Sequence, residues 1–237
     1  MTADAEFLGG SARAVIYCVA EKEADGAPVM EAFEEKMRRG GEAAVAEACR
    51  FFMRDDPVHL ALQRIARRLE EHGIPYAIAG GMALVKHGYD RTTVDVDVLV
   101  TPEGLAAVHR HLEGLGYVPP FANSKHLRDT ETGVRIEFLV SGGFPGDGKP
   151  KPVAFPDPAA CSVEMDGVRY IGLTTLLEMK ISSGMTNPGR LKDLADVLEL
   201  IRVRALGSDF AAQLHPYVRD KYLELWRAVQ QDTSGQE

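Results

Sequence analysis

Val94-Asp95-Val96-Asp97-Val98-Leu99-Val100 alternates valines with Asp95, Asp97 and Leu99. That is the period of a β-strand, in which successive side chains leave opposite faces. The four valines therefore define a buried face, and Asp95 and Asp97 stand together on the other. Two like charges held that close raise a pKa unless a cation sits between them. Hard divalent cations such as Mg²⁺ take oxygen ligands and are often held by one or two carboxylates plus substrate phosphates.

Two further segments extend this pattern. Val134-Arg135-Ile136-Glu137-Phe138-Leu139-Val140 is a second alternating strand, with Glu137 pointing away from the face of Val134, Ile136, Phe138 and Val140. If the two strands are neighbours in one sheet, Glu137 joins the aspartates, and three carboxylates surround one or two ions. Its alternative role is as an ion-pair partner of Arg135. On the other side, the short apolar run Pro75-Tyr76-Ala77-Ile78-Ala79 leads into Gly80-Gly81 and a helical turn at Met82-Ala83-Leu84-Val85. Glycines between a strand and a helix start let backbone N–H groups approach and bind phosphate oxygens. Arg91, Thr92 and Thr93, just before the aspartate strand, place a guanidinium and hydroxyls within reach of a phosphate chain, or else form a surface turn.

Around this centre the chain divides into residues 1–56, 57–172 and 173–237. The first part holds a candidate strand at residues 14–19 and a helical stretch interrupted at Gly40-Gly41, and it carries no recognisable chemistry. From Pro57, Leu62, Ile65, Ala66 and Leu69 recur at helical spacing, with Gly73 as the helix terminator. A helix from Pro102 directs Leu105, Val108, Leu112 and Leu115 inward. Asp166-Gly167 is the turn of a hairpin, and Thr175 to Glu178 has the form of a capping box opening a helix that carries Lys180. Pro188 suits the first turn of the next helix, whose apolar stripe is Leu191, Leu194, Val197, Leu198 and Ile201. Another amphipathic helix, or a pair, covers residues 209–230.

Gly80-Gly81, a spacer of thirteen residues and Asp95-Val96-Asp97 resemble the signature of the DNA polymerase β-like nucleotidyltransferase superfamily. A third acidic residue on a later strand belongs to that pattern, although Asp is more usual there than Glu137. Residues 177–180 and 190–197 resemble the AbiEii-type, abortive-infection toxin-like branch. The resemblance covers about residues 57–200. It implies an α+β fold, a small mixed β-sheet nucleotidyltransferase core flanked by helices with a helical C-terminal portion completing the cleft. It implies Asp95, Asp97 and Glu137 as ligands of one or two Mg²⁺ ions, with Mn²⁺ as an alternative. It also implies Gly80, Gly81, Arg91, Thr92, Lys180 and Arg190 as nucleotide contacts, and Asp193 as a catalytic or orienting acid. For Lys180 and Asp193 the alternative is an inter-helix salt bridge.

The implied reaction moves a nucleoside monophosphate from a nucleoside triphosphate to an acceptor hydroxyl with release of pyrophosphate. The acceptor remains open between a transfer RNA, with a cognate antitoxin as partner, and a small molecule of the aminoglycoside type. A catalytically silent nucleotide-binding regulator of a toxin–antitoxin pair is the reading from another class.

Composition bounds these expectations. The 237 residues are 45% hydrophobic and 26% charged, as in ordinary globular proteins. The net charge of −8 gives no aggregate basic surface of the kind that grips long duplex nucleic acid. No apolar run is long enough to span a bilayer, and the acidic start is unlike a signal peptide. Cys18, Cys49 and Cys161 show no metal-ligand spacing and are expected as reduced, mostly buried thiols. A cytoplasmic protein without membrane contact is expected.

Overall fold

The computed structural model describes residues 33–38 and 40–234; the candidate strand at 14–19 and Cys18 lie outside them. Among the described residues seven strands form one mixed sheet: β1 (Tyr76–Ile78), β2 (Asp95–Val100), β3 (Tyr117–Val118), β4 (His126–Asp129), β5 (Arg135–Val140), β6 (Ser162–Met165) and β7 (Val168–Ile171). Their spatial order is β3-β4-β5-β2-β1-β7-β6. The two alternating segments are indeed neighbours: β2 and β5 run parallel with Asp97 opposite Glu137 and Asp95 opposite Arg135. On β1's other side β7 is parallel, while β1–β2, β3–β4, β4–β5 and β6–β7 are antiparallel. The chain is thus an α+β fold around a mixed sheet.

Helices α1 (Phe33–Arg38) and α2 (Gly41–Phe52) are separated at Gly40 and Gly41, with φ of 68° and 72°. Phe33 and Phe51 are buried in the same hydrophobic core as the sheet. Helix α3 (Pro57–Glu71) opens on Asp56, whose carboxylate accepts from the Val58 N–H at 2.8 Å, and Pro57 supplies the first turn. Val58, Ala61, Leu62, Ile65, Ala66 and Leu69 form its buried stripe. It closes as a Schellman motif: Ile74 N–H donates to the Leu69 carbonyl at 2.9 Å, Gly73 N–H to Glu70 at 3.0 Å, and Gly73 sits at φ 62°. The β6–β7 hairpin turns through Asp166 and Gly167, both at positive φ, the geometry of a tight two-residue turn.

Val96, Val98 and Val100 are fully buried, and α5 (Pro102–Leu112) covers this side, with the Val100 Cβ 3.4 Å from where Gly104 would carry its own Cβ. Leu105, Val108 and Leu112 pack inward as expected, but Leu115 is 65% exposed. The helix ends before it: Glu113 turns extended, and Gly114, at φ 78°, donates to the Tyr117 carbonyl.

Helices α7 (Leu173–Thr186), α8 (Leu191–Val203) and α9 (Pro216–Ser234) pack on one another beside the sheet. Three expectations change here. α7 begins at Leu173 after Gly172 with no side-chain cap, so Thr175 to Glu178 is not a capping box; the Glu178 carboxylate accepts instead from the His215 N–H. Leu191 is 65% exposed because a 3₁₀ turn at Pro188–Arg190 rotates the helix start; Leu200 is buried in the stripe with Val197 and Ile201. Among the described cysteines, Cys49 is exposed and Cys161 half-buried. No described helix is long and apolar enough to cross a membrane.

α7 and α8 approach closely where Gly184 meets Leu194: a Cβ on Gly184 would lie 2.4 Å from the Leu194 Cγ. Gly184→Val should wedge the helices apart at a cost of about 1–3 kcal/mol. For a chain of this size that lowers the thermal midpoint by roughly 2–4 °C per kcal/mol. An unchanged midpoint in a melting curve would contradict the close contact.

Candidate active site

The β2–β5 register determines the site. Directly opposite residues in neighbouring strands share a face, so Asp97 and Glu137 project side by side with Asp95 one step along. Ligand oxygens of the three lie within 4.8 Å of one another, and all three side chains are half-buried. Three convergent carboxylates are the hard-oxygen donor set that suits Mg²⁺ or a similar divalent cation. Arg135, brought opposite Asp95 by the same register, offsets part of their charge: its Nη2 donates to Asp95 Oδ2 at 3.0 Å and lies 3.6 Å from Glu137 Oε2. Glu137 thus stands beside the two aspartates and within ion-pair distance of Arg135.

Gly80 and Gly81 begin the short helix α4 (Gly80–Lys86), and each is there because a side chain would not fit. At Gly80, with φ 56°, a Cβ would lie 1.7 Å from an Asp97 carboxylate oxygen. At Gly81 it would lie 2.7 Å from Thr93. Thr93 is buried and donates to Asp95 Oδ1 at 2.9 Å, which fixes one carboxylate.

Facing this acidic floor is a basic wall carried by α7, the Pro188–Arg190 turn and α8, which Arg91 joins from the segment before β2. Lys180 on α7 reaches Asp193 at 3.0 Å and Asp196 at 2.7 Å on α8. Ser183 donates to Asp193 at 2.6 Å, Arg190 to Asp193 at 2.8 Å, and Arg91 to both Asp196 oxygens at 2.9 and 3.1 Å. The wall is thus an alternating network of three cations and two aspartates, with Lys180, Asp193 and Asp196 buried. Burial alone would push the Asp193 carboxyl up, but Lys180, the Ser183 hydroxyl and Arg190 hold it below its ordinary value. Floor and wall enclose a cleft of about 300 Å³, rimmed by Pro145, Gly146 and Phe155.

Of the residues singled out in the sequence, Gly80, Gly81, Arg91, Asp95, Asp97, Glu137, Lys180, Arg190 and Asp193 all line this cleft. Thr92 does not; it is exposed, whereas its neighbour Thr93, in the segment before β2, is buried and faces the cleft. The sequence offers Thr93 beside Arg91 and Asp196 within the 190–197 segment, but not the contacts they make, Thr93 to Asp95 and Asp196 to Lys180 and Arg91.

Asp97 is strongly perturbed. Burial first, then the charges of Asp95 and Glu137, raise its pKa to about 7, against partial relief from Lys180 and Arg190. Such a pair-and-partner environment is characteristic of functional carboxylates.

Residues 42–219 match the profile of a family described as uncharacterised nucleotidyltransferase. No curated protein matches at a significant level. Among solved structures, ANT(2")-Ia in complex with adenylyl-2"-tobramycin is similar at 14% identity and a TM-score of 0.45, over 73% of this chain and 97% of that one. An antigenic nucleotidyltransferase-like protein from Paracoccidioides brasiliensis is similar at 19% identity and a TM-score of 0.39, over 60% and 74%.

The raised Asp97 pKa has a definite sign in stability. Its ordinary value is 3.8 and its folded value about 7, so the folded chain holds the proton more tightly. The contribution is fully present below 3.8 and is lost as pH rises through about 7. In EDTA, the melting midpoint of Asp97→Asn should fall less than that of the wild type between about pH 4 and 7. A divalent cation should stabilise the wild type more above pH 7 than below it, because it displaces that proton. Parallel curves for the two proteins would exclude a proton on Asp97.

Proposed function

The chain belongs to the uncharacterised nucleotidyltransferase family, and from that premise we propose that it moves a nucleoside monophosphate from a nucleoside triphosphate to an acceptor hydroxyl in a Mg²⁺-dependent reaction. The single observation that supports it best is the opposition of three carboxylates to a Lys–Arg wall across one cleft. Asp95, Asp97 and Glu137 would hold Mg²⁺, which when bound supplies charge stabilisation at the entering and leaving oxygens. Lys180 and Arg190 would take the β- and γ-phosphates, and the backbone of Gly80-Gly81 a further phosphate oxygen. The acceptor oxygen forms its bond to the α-phosphorus as the bond to the bridging oxygen breaks, and pyrophosphate leaves with that electron pair. Glu137, the one of the three acids that β5 carries, would receive the hydroxyl proton.

Asp193 and Asp196 act on this reading as positioning residues. A lysine free to move would lose its aim along with its rotamer entropy on binding. Two aspartates from the next helix fix it beforehand, at 3.0 and 2.7 Å.

In its finer form the proposal is a toxin-like enzyme whose acceptor is transfer RNA and whose partner is an antitoxin, supported by the likeness of the Lys180 and Arg190–Asp196 segments to the AbiEii-type branch. A small cationic acceptor is the second reading, favoured by the net charge of −8.

Asp97→Ala should reduce transfer by more than about a hundredfold while leaving the circular dichroism spectrum intact, and EDTA should do the same to the wild type. Incorporation of α-labelled nucleotide, assayed alone, with total transfer RNA and with an aminoglycoside, reads both. Undiminished label in the variant would sink the mechanism.

A further inference from the structure

Beyond Glu137 the carboxylate face of the sheet continues to its edge with residues of a different kind. β4 places His126 opposite Glu137 and Arg128 opposite Arg135, and β3 places Val118 opposite Arg128. Two rows of side chains therefore cross the sheet on one face. One runs Asp97, Glu137, His126; the other runs Asp95, Arg135, Arg128, Val118.

At the outer end of these rows lies a groove of about 390 Å³, lined by Pro119, Pro120, Phe121, His126, Arg128 and Arg135 among others, and by no carboxylate. Phe121 is 64% exposed and stands edge-on to His126, with ring centres 6.5 Å apart. His126 Nδ1 is buried and has no hydrogen-bond partner among the described residues. The two arginines already hold an anion: Glu34 of α1 lies 2.9 Å from Arg128 and 3.8 Å from Arg135.

We propose that this groove is the acceptor subsite and that it receives a nucleotide unit, a planar ring with a phosphate, either free or at the end of a nucleic-acid strand. The proposal rests on the transfer reading above and adds the acceptor's chemical class. Phe121 and the two prolines offer the ring an apolar platform, and stacking on an exposed aromatic tolerates any base because every base has a π-face. Arg128 presents its guanidinium to the phosphate, which takes the place of Glu34, and Arg135, tied on its other side to Asp95, adds its charge. His126 and Glu137 adjoin where the acceptor hydroxyl then lies. Its oxygen bonds to the α-phosphorus, the bond to the bridging oxygen breaks with pyrophosphate departing, and the proton goes to Glu137. The triphosphate enters from the Lys180 side of the carboxylates and the acceptor from the opposite side, as a displacement in line requires. A polycationic acceptor would meet two guanidinium groups in a groove lined by no carboxylate.

Fluorescence anisotropy on the full chain tests this, with a saturating non-hydrolysable triphosphate and Mg²⁺ filling the cleft. The probes are a labelled single-stranded RNA oligonucleotide, a labelled nucleoside monophosphate and a labelled aminoglycoside. One or both nucleotide probes should bind and the aminoglycoside should not; RNA alone indicates a strand end, the monophosphate a free nucleotide. Phe121→Ala, at an exposed position that leaves the fold intact, should weaken binding roughly tenfold or more. Glu34→Gln should tighten it. The proposal is overturned if neither nucleotide probe binds, if the aminoglycoside binds instead, if Phe121→Ala retains wild-type affinity, or if Glu34→Gln binds no more tightly. Failure of the transfer reading is distinct: it would appear as no affinity for the triphosphate and no label incorporation by the wild type.

Discussion

The pairing of β2 with β5 in parallel register is the constraint on which the rest depends. It sets Asp97 beside Glu137, two acids that repel one another, in the interior of a sheet rather than at an edge. Strand pairing and the buried valines hold them there despite that repulsion. A shift of one residue would turn every side chain of β2 to the other face, moving the acids into the core and the valines into the cleft. The hydrophobic alternation that folds the sheet is thus the same feature that aims the carboxylates.

The opposite wall follows another logic. Lys180, Arg190 and Arg91 do not stand free in solvent; each is tied to Asp193 or Asp196, and Ser183 supports Asp193. A network in which buried charges are mutually satisfied keeps its geometry, whereas removing one partner leaves an uncompensated charge. The floor has an excess of negative charge and the wall an excess of positive charge, so the cleft has a direction. On the proposed reading, a triphosphate with its cation would match both ends of it.

Much of this was legible in the sequence where a short period carries the information. The alternation in residues 94–100 and 134–140, the Gly80-Gly81 turn and the helical spacing in 57–71 each report a local rule, and the elements stand where those rules put them. What was not legible depends on where chains turn. Leu115 and Leu191 fit an apolar stripe by spacing, yet the helix stops before one and a 3₁₀ turn displaces the other. Thr175 to Glu178 has the residues of a cap without the position. The site shows the same division. The three carboxylates could be inferred from two strands and one assumption about their adjacency. The Arg135 contact to Asp95 needed the register itself, and the Asp196 network needed the crossing of α7 and α8.

The cleft's two walls are built from separate pieces of chain, and this has a mechanical side. The sheet floor is one layer, and the α7–α8 pair, in close contact at Gly184 and Leu194, is another. β7 passes into α7 through Gly172, and the loop after β5 reaches α7 where Asn187 donates to the Gly146 carbonyl at 3.2 Å. A ligand gripping both layers would act as a third brace. Amide hydrogens of α7 and α8 would then exchange with solvent more slowly in its presence.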